Sequence, residues 1–154
     1  MSAVEDRLSE LGLTVPAVAA PVAAYVPAIR DGNLVMTSGQ LPMVSGKLAA
    51  TGKVGAEVSA EDAKAHARTC ALNGLAAAAD AAGGVDRIAR VVKVTGFVAS
   101  AEGFTGQPGV INGASEVLGE ILGDAGIHAR SAVGVAELPL GSPVEVELVV
   151  ALVE

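Results

Sequence analysis

Tryptophan is absent from the 154 residues, and there are only one tyrosine, two phenylalanines, two histidines and one cysteine. With hydrophobic residues at 51% but aromatics at 2%, the interior has to be built from Ala, Val, Leu and Gly. Small side chains bury little area each, so such a core gains from burying further surface against other subunits, and a homo-oligomer is expected. The lone cysteine, Cys70, excludes an intramolecular disulfide, and His66 and His128 give no recognisable zinc-ligand spacing. A reducing cytoplasm fits this cysteine usage.

Positive charge is scarce as well. Ten Lys and Arg against 17 Asp and Glu leave a formal net charge of −7, with no basic cluster to draw in a phosphate backbone, which argues against a nucleic-acid partner. No apolar run reaches the roughly 20 residues that cross a bilayer, because the Ala-rich stretch near Ala76 is broken by Asp80 and paired glycines. The first residues, Met1 to Leu13, carry Glu5, Asp6 and Glu10 instead of the basic and apolar regions of a secretory signal. These absences predict a soluble, cytoplasmic protein with no membrane partner.

What is present reads as one α+β domain over residues 1–154, with 1–20 as an N-terminal helical arm. Val4 to Leu11 suits a short helix ended by Gly12, after which Pro16, Pro21 and Pro27 enforce an extended path. Val22 to Ile29 and Leu34 to Thr37 flank Asp31-Gly32, a hairpin signal. Ser38 to Val58 reads as a loop with room for one short strand. Ser59 caps a helix to about Ala82, with Ala63, Ala67, Cys70, Ala71, Gly74, Leu75 and Ala78 at helical spacing. Ile88 to Val98 is a buried strand, and a second long helix turns Val110, Ala114, Val117, Leu118, Ile121, Leu122 and Ala125 inward, leaving Asn112 and Ser115 off that stripe. Two last strands, about Ala129 to Glu137 and Val144 to Val153, are expected to pair with each other. The order predicts one mixed sheet with both long helices on one face and the other face left for another subunit to cover.

Strand alternation puts Arg130 on one face with Ala132, Gly134 and Ala136, a long cation beside a row of small residues. A guanidinium fork there suits a small carboxylate; the competing reading is an Arg paired with a neighbouring Glu across an interface. In the last strand Glu145 and Glu147 look away from an apolar face of Val144, Val146, Leu148 and Val150. Partial burial would let such a carboxylate move a proton, whereas a solvated strand face would make it ordinary surface charge. Ser38 and Gly39 offer a hydroxyl beside backbone N–H groups, although Ser-Gly is also a routine turn, and Tyr25 either walls a pocket or simply packs. His128 stands just before the Arg130 strand as a candidate for acid–base work or an exposed strand-end residue, and Cys70 is read as core.

Met36-Thr37-Ser38-Gly39-Gln40-Leu41-Pro42, Val94-Thr95-Gly96-Phe97-Val98, His128-Ala129-Arg130-Ser131, Val135-Ala136-Glu137-Leu138-Pro139 and Val144-Glu145-Val146-Glu147, in that order, resemble the reactive intermediate deaminase (Rid, or YjgF-like) family, also labelled L-PSP endoribonuclease. The likeness spans about Tyr25 to Val153. It implies a chorismate-mutase-like fold assembled as a homotrimer, with a ligand cleft at each subunit interface. It also implies hydrolysis of reactive enamines and imines such as 2-aminoacrylate to 2-keto acids and ammonia, without a metal or organic cofactor. By the same likeness Arg130 grips the substrate carboxylate, Glu145 positions or activates water, Ser38 and Gly39 offer polar contacts, and Tyr25 with Asn112 lines the cleft. A cysteine common two positions after the family arginine is Ala132 here, and the loop 42–58 is longer than usual, which places the chain in a divergent branch. A non-catalytic carboxylate-binding module of the same fold is the alternative reading, and the acidic charge argues against the ribonuclease label.

Overall fold

The computed structural model describes residues 2–21 and 23–154, so Met1 and Val22, the first residue of the expected N-terminal strand, lie outside the described residues. The arm starts as helix α1, Ala3–Glu10, closed by a reciprocal cap: Ser2 Oγ accepts from Glu5 N (3.3 Å) and the Glu5 carboxylate accepts from Ser2 N (2.8 Å). Leu8 is buried, Val4, Leu11, Leu13 and Val15 pack against the core beside it, and Arg7 Nε donates to the Glu120 carbonyl at 2.8 Å, so the arm is fastened to the domain by apolar packing and a hydrogen bond.

Strands β1 (Ala28–Asp31) and β2 (Leu34–Thr37) form the expected hairpin around Gly32 and Asn33, with Gly32 at φ +60°, where a side chain would strain the turn. The first strand begins at Ala28, later than the apolar run predicted, because Pro21 and Pro27 lack the N–H that a ladder needs. Within the loop that follows, β3 (Met43–Val44) and β4 (Lys47–Leu48) make a two-stranded hairpin where room for one strand was expected. This segment is pinned to the body by Gly52 N to Gly141 O (2.9 Å) and Val54 N to Ala99 O (2.8 Å).

Helix α2, Ala60–Ala82, begins as the sequence predicts, with Ser59 Oγ accepting from Asp62 N at 3.1 Å. Strand β5 (Ile88–Ala99), helix α3 (Gln107–Leu122), strand β6 (Ala129–Val135) and strand β7 (Val144–Leu152) complete the chain. The five-stranded sheet runs β1-β2-β7-β5-β6, all antiparallel except β5 with β6. β6 and β7 therefore do not pair. The helix α3 crossover carries the chain back in the direction of β5 and lays β6 parallel to it at the sheet edge, and β7 then inserts between β2 and β5.

Helices α2 and α3 cover one face of the sheet, and Val35, Val91, Val94, Val98, Val144, Val146, Leu148 and Val150 are buried beneath them. The predicted inward stripe of α2 is buried throughout; that of α3 gains Ile111, while Leu122 and Ala125 are half-buried. Among the described residues no helix covers the opposite face, which exposes Ile29, Leu34, Met36 and Val133. Among the described residues no helix is long and apolar enough to cross a membrane.

One buried polar residue escaped the pattern of apolar spacing. Asn73 on α2 is 3% exposed, and its Nδ2 donates to the carbonyls of Leu41 and Met43, both at 3.0 Å. Asn73→Ala leaves the Leu41 carbonyl with only its bond from Met43 N (2.8 Å), takes this donor from the Met43 carbonyl, and is expected to lower stability by about 1–2 kcal/mol, measured by urea unfolding. An unchanged midpoint would show that water replaces the amide.

Candidate active site

Glu145 lies on the uncovered face of β7, and backbone and side chains close around it. Gly39 sits so near that a Cβ there would come 2.6 Å from Glu145 Cδ, and Gln40 pairs with Val146 through N–H···O bonds of 2.8 and 3.0 Å. Tyr25, Pro27, Leu41, Met43, Pro139 and Ala20 of the arm join Gly39 and Glu145 around a pocket of about 60 Å³. These walls are mostly apolar, so burial pushes the Glu145 carboxyl above the usual carboxylate range, and the neighbouring charge of Glu147 adds to the rise. A carboxyl so placed can hold and release a proton closer to neutrality than a solvated one.

Gly39→Ala tests this close approach by itself, since the backbone at 39 is not in the left-handed region and only volume opposes a side chain. The substitution is expected to displace the Glu145 carboxylate while leaving circular dichroism unchanged. A crystal structure of the variant with Glu145 unmoved would show that the contact yields elsewhere.

Arg130 occupies β6, where it pairs with Val94 and projects toward the helices. Its Nη1 donates to Asn112 Oδ1 (2.8 Å) and Ser115 Oγ (3.1 Å), and Nη2 donates to the Pro108 carbonyl (3.3 Å). All three acceptors are neutral. The ion pairs among the described residues are Arg7–Glu10, Lys53–Glu137, Lys64–Glu116 and Arg68–Glu120, so Arg130 keeps an uncompensated positive charge within the protomer. Nε–H and one Nη2–H remain for an anion. The row of small residues beside it is partly filled: Ala132 packs on the core, and Gln107 and Ser100 approach Gly134.

The predicted residues thus fall into two groups. Tyr25, Gly39 and Glu145 come together at one pocket, and Asn112 comes together with Arg130. Within one protomer the groups do not meet, and strand register shows why. Glu145 is opposite Phe97, and Phe97 is opposite Val133, so Glu145 shares its face with Val133; Arg130, three residues from Val133, points out of the other face. Ser38 supports the first group from behind, donating its hydroxyl to the Val26 carbonyl (2.6 Å) and its N–H to that of Pro27 (2.8 Å), which fixes the chain just after Tyr25. Sequence reasoning missed Met43, Pro139 and the arm residue Ala20 as walls, because nothing local signals that these loops converge. Cys70 is buried as expected, and burial pushes its thiol well up, leaving it inert.

Residues 5–152 match the family described as "YjgF/chorismate mutase-like, putative endoribonuclease". The chain is 43% identical to protein TCP17 of Trypanosoma cruzi over 97% of its own length and 94% of that protein. The crystal structure of protein Atu1372 from Agrobacterium tumefaciens is 47% identical, with a TM-score of 0.90 over 98% of this chain and 93% of that one. Escherichia coli TdcF, crystallised with bound serine, is 26% identical, with a TM-score of 0.65 over 92% and 96%. The shared fold and the extent of these matches make the protein a member of the YjgF/chorismate mutase-like family.

Proposed function

We propose that the protein hydrolyses reactive imino acids, formed from enamines of the 2-aminoacrylate type, to 2-keto acids and ammonia, in a site completed between the protomers of a homotrimer. The observation that carries this reading is the Arg130 guanidinium, held by neutral acceptors with two N–H groups left for a carboxylate. Because Glu145 and Arg130 leave opposite faces of the sheet, a neighbouring protomer has to bring them together, and the exposed apolar face around Glu145 suits such an assembly. The serine bound to TdcF carries a nitrogen and a carboxylate on the same carbon, as a 2-imino acid does, which supports this ligand class for the fold.

In this mechanism Arg130 receives the substrate carboxylate with two charge-assisted hydrogen bonds and Asn112 holds the fork in register. Glu145, ionised, takes a proton from water as the oxygen adds to the imine carbon. It then returns that proton to the nitrogen of the tetrahedral adduct. Glu145 then takes the proton of the adduct hydroxyl and passes it to that nitrogen, so that the carbon–nitrogen bond breaks, ammonia leaves and the keto group forms. Apolar walls around the carboxyl keep other water from competing.

The test is to generate 2-imino acids in solution and follow ammonia and keto-acid release. A rate above buffer that depends on Arg130 and Glu145 is expected, and a rate equal to buffer contradicts catalysis. Stabilisation by 2-keto acids without turnover would identify a carboxylate-binding module. The net charge of −7 disfavours RNA, and RNA cleavage that persists in purified Arg130→Ala protein would reopen that reading.

A further inference from the structure

Behind Arg130 stands a pair of side chains that the proposed reaction does not use. His128 Nδ1 lies 2.6 Å from the Gly126 carbonyl oxygen, and Nε2 lies 2.9 Å from Ser115 Oγ on α3. A carbonyl oxygen only accepts, so Nδ1 carries the proton. In the neutral ring Nε2 is then the acceptor, which obliges the Ser115 hydroxyl to donate to it. The Ser115 lone pairs accept from Arg130 Nη1 at 3.1 Å. Donation therefore runs one way, from Arg130 to Ser115 to His128 to Gly126, and bonds in such a series polarise one another.

We propose that Ser115 and His128 are positioning residues for carboxylate recognition. The Gly126 carbonyl fixes the imidazole tautomer, the imidazole fixes the hydroxyl, and the hydroxyl with Asn112 Oδ1 occupies both hydrogens of Nη1. What remains is the edge formed by Nε–H and Nη2–H, two parallel donors matched to the two oxygens of a carboxylate. The relay thus selects which edge of the fork meets the ligand. It rests on Arg130 being the carboxylate site.

Nitrogen-15 NMR of the full-length protein and calorimetric titration with pyruvate test it together. The wild type is expected to show His128 with its proton on Nδ1, and Ser115→Ala to leave it there, because the Gly126 carbonyl still accepts from Nδ1. Ser115→Ala and His128→Ala are each expected to weaken pyruvate binding roughly tenfold, and with an imino acid the loss falls on KM. A wild-type proton on Nε2, or unaltered pyruvate affinity in both variants while Arg130→Ala abolishes binding, overturns the relay and leaves the carboxylate site standing. Unaltered affinity in Arg130→Ala overturns the site itself. The tautomer is read on the wild type, so the relay stays open to refutation if a variant fails to fold.

Discussion

Replacing Arg130 with alanine is expected to weaken pyruvate binding by about a hundredfold or more, since two charge-assisted hydrogen bonds of about 1.5–3 kcal/mol each are lost. Stability changes little, because no ion pair is broken and the freed acceptors Asn112 and Ser115 are half-buried and within reach of water. Arg130→Lys restores the charge without the fork, so its affinity falls between the two. Calorimetry separates these outcomes, and equal affinity for wild type and Arg130→Ala contradicts the assignment.

Glu145→Gln has a different signature. It removes the proton acceptor but keeps the shape of the pocket, so kcat falls by about 10²–10⁴ while pyruvate binds as before. The pH dependence has a definite sign. Burial, and then Glu147, raise the Glu145 pKa, so the ionised base appears only above a pH higher than an ordinary carboxylate requires, and activity climbs through that raised value. Glu147→Gln removes the second cause and shifts this acidic limb to lower pH. The same displacement acts on folding: a raised folded-state pKa contributes stability below the unfolded pKa, and that contribution is lost as pH rises through the folded value. Above it the ionised Glu145 is a liability that glutamine does not share. Glu145→Gln is therefore expected to melt above wild type at slightly alkaline pH, with the difference closing in acid; the reverse order would contradict the burial argument.

Elements governed by local chemistry were legible in the sequence. Ser59 and its capped helix, the Gly32 hairpin and the alternation of β7 each depend on neighbours within a few residues. The place of β7 was not, because two strands joined by a short connection usually pair, and only the non-local crossover through α3 sends β6 to the far side of β5. The site was legible as residues but not as geometry. Alternation showed which way Arg130 and Glu145 point along their own strands, yet their relation across the sheet depends on the register β7-β5-β6, which no local pattern encodes. Asn73 and the Ser115–His128 pair were hidden for a related reason: their partners lie on other elements or beyond the helix end, and polar residues off an apolar stripe look alike until folded.

The central claim is that one site draws Arg130 from one protomer and Glu145 from another, and mixing the two inactive variants tests it most directly. Arg130→Ala and Glu145→Gln subunits, unfolded together and refolded at equal concentration, are predicted to regain about a quarter of wild-type imine hydrolysis, because random assembly pairs the intact arginine with the intact glutamate at about one interface in four. Mixed oligomers that form, as native mass spectrometry would show, and yet remain inactive would contradict it.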